Sequence, residues 1–453
     1  MSKKTFQLFI FRRDLRIQDN TALEALHKFP EPIIPIFIFA PDQIDPSKNS
    51  YFSNNCVQFM CESLEDLENN IEVKGGKINF FHGETIEIIK KIIKSAHKIV
   101  RIGVNQDYTP YSIARDEKIE ALCKKNGIEF LSKEDICIQP IGIVRTGSGT
   151  IYKKYTPFYN KAKELPIRKP VIRTTYNFAA FHINSSPKNT SSLLTKFYKK
   201  NPNLLHPGGR ENALRQLAHL PVDYQKTRNI PSIPTTELSA YNKFGCISIR
   251  ELMVKLDKDI SRELYFRDFY YNIIYYYPYI LGGAFDKKWD KIKWDKPSPK
   301  LLRTFYEGRT GFPIIDAGIR QMTTTGFMHN RLRMLVASFF TKDLLYDWRI
   351  GERFFANHLY DYDPTQNNCG WQVVAGFGPS ALDWFRVMNP WLQTEKFDPE
   401  CVYIKEWVPE LSNYSAKQII NQDWDAKDYQ RPIVNHEEAK KKMMAVYKNV
   451  SSY

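Results

Sequence analysis

"IIPIFIFA", residues 33–40, is an uninterrupted apolar run rich in β-branched side chains. A strand with one wet face alternates apolar and polar residues. This one does not, so both of its faces are covered, as in a parallel sheet between two layers of helix. The neighbouring segments fit that reading. "FQLFIF" (6–11) is a preceding strand, and "TALEALHKF" (21–29) is the helix between the two. After them come a helix, "FMCESLEDLENNI" (59–71), a strand ending in Gly, "INFFHG" (78–83), and a helix, "ETIEIIKKIIKSA" (84–96). "KIVRIGVN" (98–105), "ARDEKIEALCKKNG" (114–127) and "IEFLSKED" (128–135) repeat the rhythm. Alternating strand and helix predicts a doubly wound, Rossmann-like parallel sheet. A ligand is expected at the carboxyl ends of its strands. No G-x-G-x-x-G is present, so the dinucleotide fingerprint is missing.

From residue 138 the rhythm fades. "RTGSGTIYKKYTPFYNKAKELP" (145–166) is turn-rich, and "NSSPKNTSS" (184–192) reads as a polar surface loop. From 206 onward strand signals vanish. "GGRENALRQLAHL" (208–220), "SIRELMVKL" (248–256), "RELYFRDFYYNIIYY" (262–276), "AGIRQMTTTGFMHNRLRMLVASFFTKDLL" (317–345) and "GERFFANHLYDYD" (351–363) carry helical periodicity, and "HEEAKKKMMAVYKNVSSY" closes the chain as a charged helix. The expected fold class is α/β plus all-α: an α/β domain over 1–137, a connector over 138–205 and a helical domain over 206–453.

A net charge of +15 and a pI near 9.2 favour a polyanionic partner, nucleic acid before an anionic membrane surface. A Lys-rich composition accounts for part of that charge. The seven Cys are scattered, odd in number and without a C-x-x-C pair, which argues against a disulfide framework, a zinc ribbon or an iron–sulfur site. A reducing intracellular setting is expected, in cytoplasm or nucleus rather than outside the cell. "MSKKTFQLFIFRRDLR" has too short an apolar run for a signal peptide. No run of about 18 apolar residues marks a transmembrane helix, so no membrane association is expected. Nothing demands an oligomer; a monomer without an obligate protein partner is expected.

Two short runs are densely polar for a helical core: "HNRLRM" (329–334) and "DYDPTQNNCGW" (361–371). A buried carboxylate needs a cation, and Arg333 can serve Asp361. Asp363, Asn367, Asn368 and Trp371 follow, and polar groups converging in a core face a polar ligand. "TTELS" (235–239) offers hydroxyls that suit a phosphate, or simply cap a helix. In "RELYFRDFYYNIIYYYPYI" (262–280), Glu263 and Arg267 stand four apart, either as a surface ion pair or with Glu263 as a pocket carboxylate.

"FRRDLRIQDNTAL" (11–23), "GRTGFPIIDAGIRQM" (308–322), "GFMHNRLRMLVASFFTKDLLYDWRIGERFF" (326–355), "NNCGWQ" (367–372) and "NPWLQTEKFDPECVYIKEWVPEL" (389–411) resemble the cryptochrome/photolyase family, in order along nearly the whole chain. The resemblance implies FAD, fully reduced in the active form, held in the helical domain. It also implies blue-light-driven repair of cyclobutane pyrimidine dimers in DNA. By the family's motifs, Tyr224, Thr235, Thr236, Glu237, Leu238 and Ser239 hold the FAD phosphates. Arg333, Asp361 and Asp363 serve the flavin and adenosine side, and Asn367 sits beside flavin N5. Glu263, Phe266, Asn330, Arg331 and Met334 meet the flipped dimer, and Arg228 and Arg386 its phosphates. Trp371 and Trp348 match the first two members of an electron-transfer chain. The third falls on Phe305, which leaves Tyr306 or another indole such as Trp384 to complete the path.

Family members often carry Trp where this chain has Phe266 and Val373, so one wall of the dimer site is altered. The antenna stretch, "DYTPYSIARDEKI" (107–119), has Tyr111 and Ser112 in place of the Asn-Glu pair of folate-binding members. A deazaflavin, a folate held otherwise, or no antenna remain open. The alternative class is a cryptochrome, of the DASH type or a signalling photoreceptor. Long C-terminal tails are common there, and this chain ends soon after "WVPEL" (407–411).

Overall fold

A computed structural model describes residues 4–95, 97–183 and 193–451; the loop expected at 184–192 lies outside them. Five strands form one parallel sheet: β1 (Thr5–Phe11), β2 (Ile33–Phe39), β3 (Asn79–His82), β4 (Lys98–Asn105) and β5 (Glu129–Lys133), in the order β3-β2-β1-β4-β5. The winding reverses between β1 and β4, which opens a crevice at the carboxyl ends of the strands. Every residue of β2 is buried, as its unbroken apolar sequence requires. The two-residue period sorts β1 between two cores: Phe9 and Phe11 face one, Leu8 and Ile10 the other.

The expected division into 1–137 and 206–453 separates two architectures but not two cores. Phe11, Phe39 and Phe59 share one cluster with Tyr241, Phe244 and Tyr360 of the helical part. Buried charges reinforce the junction. Arg250 donates to Asp19 at 2.6 Å and to Asp135 at 2.7 Å, and Arg16 donates to Asp135 at 2.6 Å. Breaking one member of such a set strands a charge without water, typically at about 3–5 kcal/mol. The connector is partly structural. Its helix Tyr155–Ala162 packs Tyr155 and Phe158 on Phe269, and Ala179 donates its N–H to Ile33 O at 2.8 Å.

Six helices place the candidate site and its surroundings: α1 (Ser239–Lys243), α2 (Lys258–Tyr276), α3 (Asn330–Ser338), α4 (Trp348–His358), α5 (Pro364–Ala375) and α6 (His436–Ser451). Among the described residues no strand follows β5, and no helix is long and apolar enough to cross a membrane. The continuous helix expected over 317–345 is divided. Pro313–Thr325 ends at Gly326 with φ +72°, and the His329 side chain accepts from Arg331 N at 3.1 Å to start α3. One wider turn follows at Phe339–Asp343, where Leu344 N reaches Phe339 O at 3.0 Å. The helix expected over 351–363 likewise stops at His358, and Asp363 opens the next one as the N-cap of α5.

Candidate active site

The helices surround a cavity of about 380 Å³. The two polar runs that stood out in the sequence meet there: Arg333 and Met334 from α3 face Asp361, Asp363, Asn367 and Trp371 from the segment leading into α5. Each of these six lines the cavity, as do Tyr224, Thr236, Leu238, Ser239 and Glu263. Thr235 and Glu237 do not; Glu237 pairs with His206 at 2.6 Å instead.

Asp361 is 7 % exposed. Its Oδ2 accepts from Ser239 at 2.6 Å and from Arg333 at 2.8 Å, while Oδ1 is buried with no partner in the protein. A buried carboxylate oxygen left open is costly unless a ligand donates to it. The imide N–H and ribityl hydroxyls of a flavin are donors of the right kind.

Asp363 is arranged differently from the expectation. Its Oδ1 accepts from Thr365 N at 2.9 Å, from Gln366 N at 3.4 Å and from the Thr365 hydroxyl. Its Oδ2 accepts from Tyr271 Oη at 2.7 Å and from Arg13. The carboxylate is therefore filled by the protein, as a helix cap and as a tie to the loop after β1. Burial alone would raise its pKa, but Arg13 and Arg267 outweigh burial and hold it well below the usual carboxylate range.

Asn367 shows how orientation is fixed. Its Nδ2 lies 2.9 Å from the Glu352 carbonyl oxygen and 2.8 Å from Glu352 Oε1. A carbonyl can only accept, so the amide must turn its NH₂ to Glu352, leaving Oδ1 as the group available to a ligand. Glu352 is 3 % exposed and burial pushes its carboxyl up to about 7. The sequence gave no sign of Glu352, because an acidic residue on a charged helix reads as a surface group.

The mouth of the cavity is basic and aromatic. Glu263, on the exposed side of α2, pairs with Arg228 at 2.5 Å. Arg267 takes no part in the surface pair its spacing suggested: it turns inward and donates to Ile136 O at 2.7 Å. Phe266 packs between Tyr155, at 4.1 Å, and Tyr270, at 4.9 Å. Asn330 is exposed at the start of α3. Arg331 bonds Asn229 and lies over the Phe397 ring at 4.5 Å, and Arg386 is exposed beside Asp383. Val373 is partly buried against the core.

A second cavity, of about 570 Å³, fills the crevice at the ends of β1, β2 and β4. Its walls mix apolar side chains such as Phe37, Val57 and Met60 with Arg12, Arg13 and Arg115. Lys243 and Tyr362 line both cavities, so only a thin wall separates them. Lys243 is 9 % exposed, and its Nζ lies 2.7 Å from Cys56 Sγ and 4.1 Å from the Phe244 ring centre. Sequence reasoning missed Lys243, one more Lys in a Lys-rich chain.

Residues 7–173 match the family described as DNA photolyase, and residues 260–449 match the FAD binding domain of DNA photolyase. The deoxyribodipyrimidine photo-lyase of Alkalihalophilus pseudofirmus is 32 % identical over 97 % of each chain. The chain belongs to the DNA photolyase family. Solved members share its shape throughout. The archaeal photolyase of Sulfolobus tokodaii, crystallised with two FAD molecules, is 40 % identical with a TM-score of 0.89, over 98 % of this chain and all of that one. A class III photolyase of Agrobacterium tumefaciens is 28 % identical with a TM-score of 0.88, over all of this chain and 99 % of that one. The helical-domain cavity of this family member lies between residues that both family matches and the open Asp361 oxygen assign to FAD.

Proposed function

We propose that this chain is a light-dependent lyase that splits cyclobutane pyrimidine dimers in DNA. Membership of the DNA photolyase family and the Asp361–Asn367 cavity with its open acceptors support this reading. A fully reduced FAD, excited by blue light, supplies the electron that breaks the cyclobutane ring. The rest of the work belongs to the chain.

Asp361, held by Arg333 and Ser239, offers one free oxygen to the flavin. Asn367, held by Glu352, presents a carbonyl rather than an acid, and a neutral amide favours a reduced, electron-rich ring. The dimer must leave the duplex to reach the cavity, and a damaged pair costs least to unstack. Arg228, Arg331 and Arg386 around the mouth would hold the backbone phosphates, with the salt dependence that such contacts confer. Glu263 can exchange Arg228 for the polar edge of the dimer, so that a preorganised group stands where negative charge develops. The second cavity is proposed to hold a light-harvesting flavin, a reading supported by the second FAD of the Sulfolobus tokodaii photolyase and by the apolar, arginine-edged walls.

The test uses chemically reduced protein under blue light, with oligonucleotides carrying a cyclobutane thymine dimer or a (6-4) product, single- and double-stranded, and dark controls. Restoration of the cyclobutane substrate in light alone is expected. FAD bound and photoreducible but no repair of any substrate would overturn the proposal.

A further inference from the structure

Trp371 lines the flavin-side cavity, is 2 % exposed, and its indole N–H has no partner. An oxidised flavin excited there takes an electron from the nearest easily oxidised ring, which is this indole. The positive hole left on Trp371 must then move outward before the electron returns. A row of oxidisable rings ending near water is therefore required. Trp371 lies against α4 so closely that a Cβ on Gly351 would stand 2.2 Å from its ring. Trp348 begins that same helix one turn earlier and is 1 % exposed.

Two routes lead outward, and they differ in chemistry. Toward Tyr306, Trp371 meets Phe340 at 5.9 Å, Phe340 meets Phe305 at 4.8 Å, and Phe305 meets Tyr306 at 6.0 Å. Benzene rings are far harder to oxidise than indoles, and two stand in succession. Toward α6, Trp348 meets Phe377 at 6.3 Å, Phe377 stacks on Trp289 at 6.2 Å, and Trp289 meets Trp384 at 6.4 Å. Only one benzene ring intervenes, and the next two rings are indoles. Trp384 is partly exposed beside Phe385, which is 51 % exposed. Gly376 at the end of α5 is what admits it: a Cβ there would lie 2.6 Å from Trp384 Cα.

Tyr447 of α6 stacks on Trp384 at 6.2 Å and 22°, and meets Trp289 at 5.6 Å. Its hydroxyl is buried with no acceptor, and burial holds the phenol proton firmly. A phenol that cannot shed its proton resists oxidation, so a hole in this cluster stays on the indoles.

We propose that Trp384, reached through Trp289, is the terminal electron donor for flavin photoreduction in this chain; this rests on the flavin reading above. One electron leaves Trp371 for the excited flavin, which is reduced by one electron. Trp348 refills Trp371, and Trp289 and Trp384 refill Trp348 in turn. Trp384 ends one electron short, releases its indole proton to water, and is restored by an electron and a proton from an added thiol.

The experiment is flash photolysis of the FAD-bound protein, read as the indole radical signal, together with a nitroso spin trap located by peptide mass spectrometry. The wild-type protein is expected to carry the trap on Trp384. W384F and W289F are each expected to lose the long-lived radical and the adduct, while W407F, an indole away from the row, keeps both. An adduct on Tyr306, or loss of the radical in Y306F with W384F unchanged, would overturn the proposal. Should W384F fail to fold, the adduct position in the wild-type protein decides. Flavin bound and photoreduced through Trp384 with no dimer repair would overturn the lyase reading alone, and a protein that binds no flavin would overturn both.

Discussion

Asp363 offers the sharpest test of how the two halves of the molecule are joined. Its carboxylate is 5 % exposed and takes bonds from Arg13 and Tyr271 on one oxygen and from the start of α5 on the other. In D363N the amide keeps the shape and can still cap α5, since Asn is as good an N-cap as Asp. The charge is lost, however, and an NH₂ must face Arg13 and Tyr271, donor against donor. Removing one partner of a buried pair costs about 3–5 kcal/mol. Arg13 retains Asp107 at 3.6 Å, which places the cost near the lower end. With roughly 2–4 °C per kcal/mol for a chain of this size, the melting temperature should fall by roughly 6–12 °C.

The pH dependence has a definite sign. The folded pKa of Asp363 is depressed, so its stabilisation is complete above the unfolded value of about 3.9 and is lost as pH falls toward the folded one. The gap between wild type and D363N should therefore be constant from neutral pH down to about 4 and close only below it. The assay is thermal unfolding of the FAD-bound protein by circular dichroism, with R13Q and the double variant completing a cycle. A coupling under about 0.5 kcal/mol between the two sites would refute the reasoning, because distant, independent sites already agree within that margin.

E263A should retain FAD and lose repair yield per photon; an unchanged yield would remove Glu263 from the mechanism. Glu352 has a raised folded pKa of about 7, so the wild type should lose stability as pH rises from the unfolded carboxylate value toward 7, and E352Q should be the more stable protein at pH 8 but not at pH 4, as measured by thermal melts. F266W should tighten binding of dimer-containing DNA by about 1 kcal/mol if this ring stacks on the flipped base, measured as a dissociation constant at fixed salt; no change would place Phe266 in the wall with Tyr155 and Tyr270 instead.

Much of this molecule could be read from the chain alone, and the reason is local. The parallel sheet was legible because "IIPIFIFA" has no polar alternation, and its strand emerges buried at every position. The meeting of "HNRLRM" with "DYDPTQNNCGW" was legible because buried Arg and Asp need each other, and Arg333 does reach Asp361 at 2.8 Å. The ends of the helices at Gly326 and His358 were missed, because helical periodicity continues on both sides of each break. Other assignments needed the fold. Whether Asp363 faces a ligand or caps a helix depends on Arg13, which is 350 residues away. Whether Glu352 is a surface charge or the anchor of Asn367 depends on how α4 packs on α5. Whether the aromatic row leads to Tyr306 or to Trp384 depends on which rings touch. Sequence periodicity reports which face of an element is apolar. Only the packed chain sets which polar group is left without a partner, and in this cavity the open Asp361 oxygen is the one left for the ligand.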